Sequence, residues 1–148
     1  MKISTRGRYG VRAIFDIAYF GEGQAVQIER IAERQEISPR YLEQIFQRLK
    51  RAGIIKTRRG AKGGYFLGRD PSSITIAQIV EVTDGPLVPV ICHDHGRRRR
   101  HCHRSEICVV KAIWDEAGRR LVEYLDSLTI ADLCDRACRI NGFNALEV

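Results

Sequence analysis

The sequence predicts a mainly α chain: a winged helix-turn-helix domain with a small β-hairpin wing, followed by a long C-terminal helix. Three observations predict it. Ser38-Pro39 opens a strongly amphipathic helix, and two short strand candidates flank the glycine-rich run RRGAKGG. Farther on, Val110, Trp114, Ala117, Leu121, Tyr124 and Leu128 recur at alternating spacings of four and three, the pattern of a coiled-coil seam. The expected division is residues 1–85 for the winged domain, 86–107 for a cysteine- and histidine-rich loop, and 108–148 for the dimerisation and C-terminal helices.

The first helix fits roughly Thr5 to Phe20, with Tyr9, Val11, Ala13, Ile14, Ile17, Ala18 and Phe20 as its apolar face and Gly21 and Gly23 beyond its end. A short helix follows near Ile28–Arg34. Ser38 is an N-cap and Pro39 a first-turn proline, whose missing N–H costs nothing there. That helix runs to about Ala52, with Gly53 where a left-handed C-cap belongs. Within it Leu42, Ile45, Phe46 and Leu49 fall at i, i+3, i+4, i+7 and make one buried face. Ile54–Thr57 and Tyr65–Leu67 then read as a hairpin whose glycines permit a tight turn. Thr75 and Gln78 form a capping-box pattern for a helix to about Thr83. A loop spans roughly Leu87–Ile107, a long helix begins at Ser105, and Thr129 caps a final helix with Leu128 and Leu133 as its hydrophobic staple.

Charge says which partner this frame suits. The formal net charge is +7, and residues 1–70 hold 15 Lys+Arg against 7 Asp+Glu, an excess of +8. An anionic partner follows, and double-stranded DNA fits best. Arg40, Gln44 and Arg48 carry the donors that read guanine and adenine edges, while Glu43 can only accept from cytosine or repel phosphate. Ser38 and Tyr41 join them at the start of the recognition helix, and Arg58, Arg59 and Lys62 at the hairpin tip suit phosphate or the minor groove. The six-position apolar seam, with a Trp and a Tyr, exceeds what so short a chain can cover, so a homodimer is expected.

Cys92 to Cys108 reads CHDHGRRRRHCHRSEIC, three cysteines and four histidines in one polar segment. Thiolates and imidazoles gathered this way are what a soft or borderline metal centre needs. Zinc usually shows paired cysteines two to four residues apart. Here nine and then five residues intervene, which favours an iron–sulfur cluster while the histidines keep zinc open. Arg97–Arg100 reads first as a solvated turn and second as a cationic offset to an anionic thiolate-bound cluster. Cys134 and Cys138, four apart on one helical face, read as small buried thiols of the core, with a second redox pair as the alternative. No run is long and apolar enough for a membrane span, and Arg12 and Asp16 interrupt any signal-peptide core, so a cytoplasmic protein is expected. A phosphate-binding glycine motif, a nucleophile elbow and HExxH are all missing, so an enzyme is not expected.

The stretches STRGRYGVRAIFDIA, ISPRYLEQIFQRLKRAGIIKTRRGAKGGYFLGRD, ITIAQIVEVTDG, CVVKAIWDEA and LTIADL, in this order over roughly residues 1–134, resemble the winged-helix transcription regulator family of IscR, NsrR and CymR. The cysteine loop resembles that of its iron–sulfur cluster-binding, IscR-like branch. The resemblance implies a homodimer with recognition helix Pro39–Arg51, wing Lys56–Phe66 and dimerisation helix about Ser105–Leu128. It implies Cys92, Cys102 and Cys108 as cluster ligands, with 2Fe–2S the first choice and 4Fe–4S the second. Two features depart from the family. The first cysteine interval is longer, and Lys111 stands where IscR-like relatives often carry a histidine ligand. The fourth ligand is therefore open among His93, His95, His101, His103, a partner residue or a small molecule. The implied function is a DNA-binding regulator responding to iron, redox or nitric oxide status. The alternative is a cluster-free or zinc-binding thiol sensor of cysteine and sulfur metabolism.

Overall fold

The computed structural model describes residues 3–87 and 107–141, which form six helices and one hairpin. α1 spans Thr5–Gly21, where Ser4 Oγ accepts the N–H groups of Arg6 and Gly7 and so caps the first turn. Its buried stripe is Ala13, Ile14 and Ile17, with Asp16 buried among them. Phe20 departs from the expected apolar face: it is exposed, and the Arg34 guanidinium lies 4.5 Å from its ring centroid. Glu22, not a glycine, takes the left-handed position after the helix.

α2 (Ile28–Gln35) and α3 (Pro39–Arg51) form the helix-turn-helix. Ser38 Oγ accepts the Tyr41 N–H, and Pro39 occupies the first turn as the sequence indicates. All four residues of the expected α3 stripe are buried: Leu42, Ile45, Phe46 and Leu49. Gly53 adopts φ 70°, and its N–H closes on the Lys50 carbonyl at 3.0 Å. α2 buries only Ile31 and Ala32. Its seat depends on polar contacts: Arg34 grips Asp16 with Nε and Nη2 at 3.0 and 2.6 Å, and Gln35 donates to the same carboxylate at 2.9 Å.

The wing is β1 (Ile55–Arg58) paired antiparallel with β2 (Gly64–Leu67), in register Ile55 with Leu67 and Arg58 with Gly64. Its base is tied to the rest of the domain by a bridge in which Val26 and Tyr65 exchange two backbone bonds of 2.8 Å. Gly64 makes this approach possible, because a Cβ there would lie 2.3 Å from the Val26 carbonyl oxygen. After a single 3-10 turn, α4 (Ile76–Asp84) starts on the capping box of Thr75 and Gln78. It packs Ile79 and Val80 against α1.

α5 spans Lys111–Asp126 and α6 Ile130–Asn141. The long helix thus starts later than the expected Ser105. Ile107, Val109 and Val110 are β-branched and crowd a first turn, and the chain makes a non-helical turn over them. α6 opens on a reciprocal cap: Asp132 N–H donates to Thr129 Oγ1, while Thr129 N–H donates to the Asp132 carboxylate. Ile130 is fully buried in the same core as α1, α3 and α4. The α5–α6 junction is clasped to the start of α4, with Ile76 N–H donating to Leu128 O, Ile130 N–H to Ile74 O, and Thr75 Oγ1 to Asp126. No helix among the described residues is long and apolar enough to cross a membrane.

Candidate nucleic-acid interface

Burying one face of α3 dictates what the other presents. Ser38, Arg40, Glu43, Gln44 and Arg48 are exposed along it, and Tyr41 is half-buried with its ring edge-on to Tyr9 at 5.9 Å. Arg40 and Gln44 have no hydrogen-bond or ionic partner among the described residues. Arg48 differs: its Nη1 donates to the Thr83 carbonyl at 3.1 Å, which ties α3 to the end of α4. Glu43 and Glu29 lie near enough to Tyr65 that, after burial, their charges push its hydroxyl pKa upward.

Arg58, Arg59 and Lys62 are all exposed on the wing. The Arg58 guanidinium sits 5.6 Å from the Phe66 ring centroid, which restrains an otherwise free side chain. The tip closes through Gly63 N–H to Gly60 O at 2.8 Å, with Gly60 at φ 104°. Helix face and hairpin tip therefore present cations from one rigid scaffold. Arg30, an exposed cation on α2, carries no local signal in the sequence; its setting is tertiary.

Of the expected metal ligands, Cys108 alone falls within the described residues. Cys92, Cys102, His93, His95, His101, His103 and the Arg97–Arg100 run lie outside them. Cys108 is half-buried in the turn leading into α5, and its carbonyl accepts the Lys111 N–H at 3.1 Å. Lys111 Nζ pairs with Asp115 at 3.6 Å, so the departure from the family pattern at this position has a local partner. Among the described residues no group of three or more His, Cys, Asp or Glu is placed to hold a metal.

The second cysteine pair departs from the sequence expectation. Cys134 is half-buried against the core, and burial, with Cys138 and Asp135 nearby, pushes its thiol pKa up. Cys138 is exposed rather than buried and pairs with the Tyr19 hydroxyl. On α5 the expected seam lies largely open. Val110, Trp114 and Tyr124 are 53%, 45% and 58% exposed, Ala117 is exposed, and Leu121 and Leu128 are half-buried. Ile113 widens the stripe.

A helix-turn-helix and a basic hairpin on one core, with a further helix pair clasped to it, define the architecture of the winged-helix transcription regulators. The Rrf2 family model, described as an iron-dependent transcriptional regulator, matches residues 3–136, and the chain belongs to that family. It is 35% identical over 148 residues to the HTH-type transcriptional regulator IscR of Escherichia coli (strain K12 / DH10B), covering all of this chain and 85% of that protein. The solved structure of T. potens IscR is similar at a TM-score of 0.76 and 35% identity, covering 95% of this chain and 91% of that one. CymR, the global cysteine regulator of B. subtilis, is similar at 0.74 and 33%, covering 92% and 98%.

Proposed function

We propose that this chain is a homodimeric operator-binding regulator, working in the cytoplasm, whose grip on double-stranded DNA responds to an iron–sulfur cluster. The observation that carries the cluster is the donor set. Three thiols and four imidazoles fall within Cys92–Cys108, and the described member, Cys108, sits in a turn rather than a packed core. Such a set fits iron, since thiolates bind it and a loop can fold around a centre without disturbing a core. Cys92, Cys102 and Cys108 would hold the cluster, with the fourth ligand drawn from His93, His95, His101, His103, the partner subunit or a small molecule. When bound, the cluster supplies a centre sensitive to redox state, iron supply and nitric oxide.

The rest falls to the chain's own residues. Arg40 and Gln44 read base edges, with Ser38, Tyr41 and Glu43 beside them; Arg48 both anchors α3 and keeps its second terminal nitrogen for DNA. Arg58, Arg59 and Lys62 hold phosphate from the wing. The open α5 stripe is the face that a second copy covers. The likeness to CymR favours a second reading, a cluster-free or zinc-binding thiol sensor.

Purification without oxygen, followed by the visible spectrum and iron, sulfide and zinc analysis, separates the two. The cluster reading expects coloured protein that bleaches in air. Cys92→Ala, Cys102→Ala and Cys108→Ala should each abolish the colour and change operator affinity while far-ultraviolet dichroism persists; Cys134→Ala and Cys138→Ala should keep it. Colourless protein with stoichiometric zinc selects the second reading.

A further inference from the structure

Between the end of α1, the start of α2 and the wing lies an open cleft of about 590 Å³. Gln27 and Arg30 line it from α2 and its cap, Arg34 from farther along the helix, and Arg58 and Lys62 from the wing; no carboxylate lines it. Arg34 is already committed to Asp16. Arg30, Arg58 and Lys62 make no ion pair among the described residues. Three cations without an ion pair, from two elements, thus face one space.

The backbone around the cleft favours the same sign of ligand. α2 begins at its rim, and the Gln27 side chain makes no capping bond there. The leading N–H groups of the helix therefore lack a side-chain cap, and the dipole favours an anion at that end beside the one carboxylate, Glu29, that the first turn already carries. The walls are also fixed in advance. The Val26–Tyr65 bridge and the close approach of Gly64 lock β2 to the segment that enters α2. Arg30 and the wing cations hence converge without a folding step at the moment of binding, which removes an ordering cost.

We infer that this cleft receives a phosphate group of the operator backbone, with Arg30 on α2 and Arg58 and Lys62 on the wing around it. The inference rests on the operator-binding reading and adds to it a contact from α2. A backbone phosphate suits the cleft better than a free anion. Exposed cations in an open cleft hold a lone phosphate weakly, whereas a polyanion anchored by α3 presents its phosphates at high local concentration.

The test uses the full-length protein and an operator selected by it. Arg30→Ala should lower the slope of log affinity against log salt by about one per protomer. It should weaken all sequences alike, leave base preference unchanged and be rescued by Arg30→Lys. Operators with one neutral methylphosphonate linkage at a time locate the contact. The wild type should lose affinity at a linkage beside the wing, and Arg30→Ala should be indifferent to that same linkage. An unchanged slope together with retained sensitivity to every linkage overturns the inference, and Arg30→Gln repeats the comparison if the alanine variant melts early. Saturable binding of inorganic phosphate or pyrophosphate to DNA-free protein, lost in Arg30→Ala, also overturns it and reassigns the cleft to a free anion. A wild-type protein that binds no duplex DNA instead overturns the operator reading itself.

Discussion

Asp16 shows how one residue can set the geometry of a binding motif. Its carboxylate is fully buried and is held by Arg34 and Gln35, while Arg12 reaches the Gln35 side chain and carbonyl. α2 seats only Ile31 and Ala32 in the core, with Ile28 partly buried beside them, so this network adds to packing in fixing its angle. Removing one partner of a buried pair costs more than the pair contributes, since the remaining charge is stranded. Arg34→Ala should therefore destabilise the fold by about 3 kcal/mol, read as a lowered urea midpoint with an unchanged slope. Loss of less than a fifth of that would show that water reaches Asp16 freely. The network was not legible in the sequence. In the sequence Asp16 only interrupts an apolar run, and its partners lie 18 and 19 positions away.

At the scale of elements, what the sequence revealed follows from how local each signal is. Ser38-Pro39 and Thr75 with Gln78 mark helix starts by side chain-to-backbone bonds within four residues, and both starts fall where expected. α5 has no such cap: Val110 precedes it without a side-chain bond, and its start is displaced from the expected Ser105. Cys138 was misread for a related reason. Spacing four from Cys134 puts both thiols on one face of α6, but only the position of α1 decides how far along that face the cover extends. The α5 stripe yields a prediction of its own. A Trp at the centre of an interface typically contributes at least ~2 kcal/mol, so Trp114→Glu should weaken self-association about thirtyfold or more. Sedimentation equilibrium would read this as a shift toward monomer, with the winged domain's dichroism intact. An unaltered dimer would mean that a different face is used.

The whole molecule responds to acid through carboxylates spread over its length. Asp70 is held below its usual range by Ser72, Glu116 is drawn down to about 2 by Arg119 and Arg120, and Asp132 is lowered by Thr129. A carboxyl whose pKa falls on folding stabilises the native state above its unfolded value and loses that stabilisation as pH drops toward the folded one. Stability should hence be flat near neutrality and decline below about pH 4. Asp132→Asn, which keeps an acceptor at the α6 cap but not the charge, should shrink the decline; an identical acid profile in urea titrations would contradict the assignment. These groups stand at the turn before α4 and on both helices of the C-terminal pair, α5 and α6. The clasp between the start of α4 and the α5–α6 junction gives that pair a mechanical meaning. α5 is secured at its C-terminal end, where Val122 and Leu125 pack on the core, while Ile113 and Trp114 near its other end are exposed. Its 16 residues make an arm about 24 Å long. Pivoted at the clasp, the arm turns a tilt of about 5° into a sweep of about 2 Å at its tip, and Cys108 rides at that tip, where leverage is greatest.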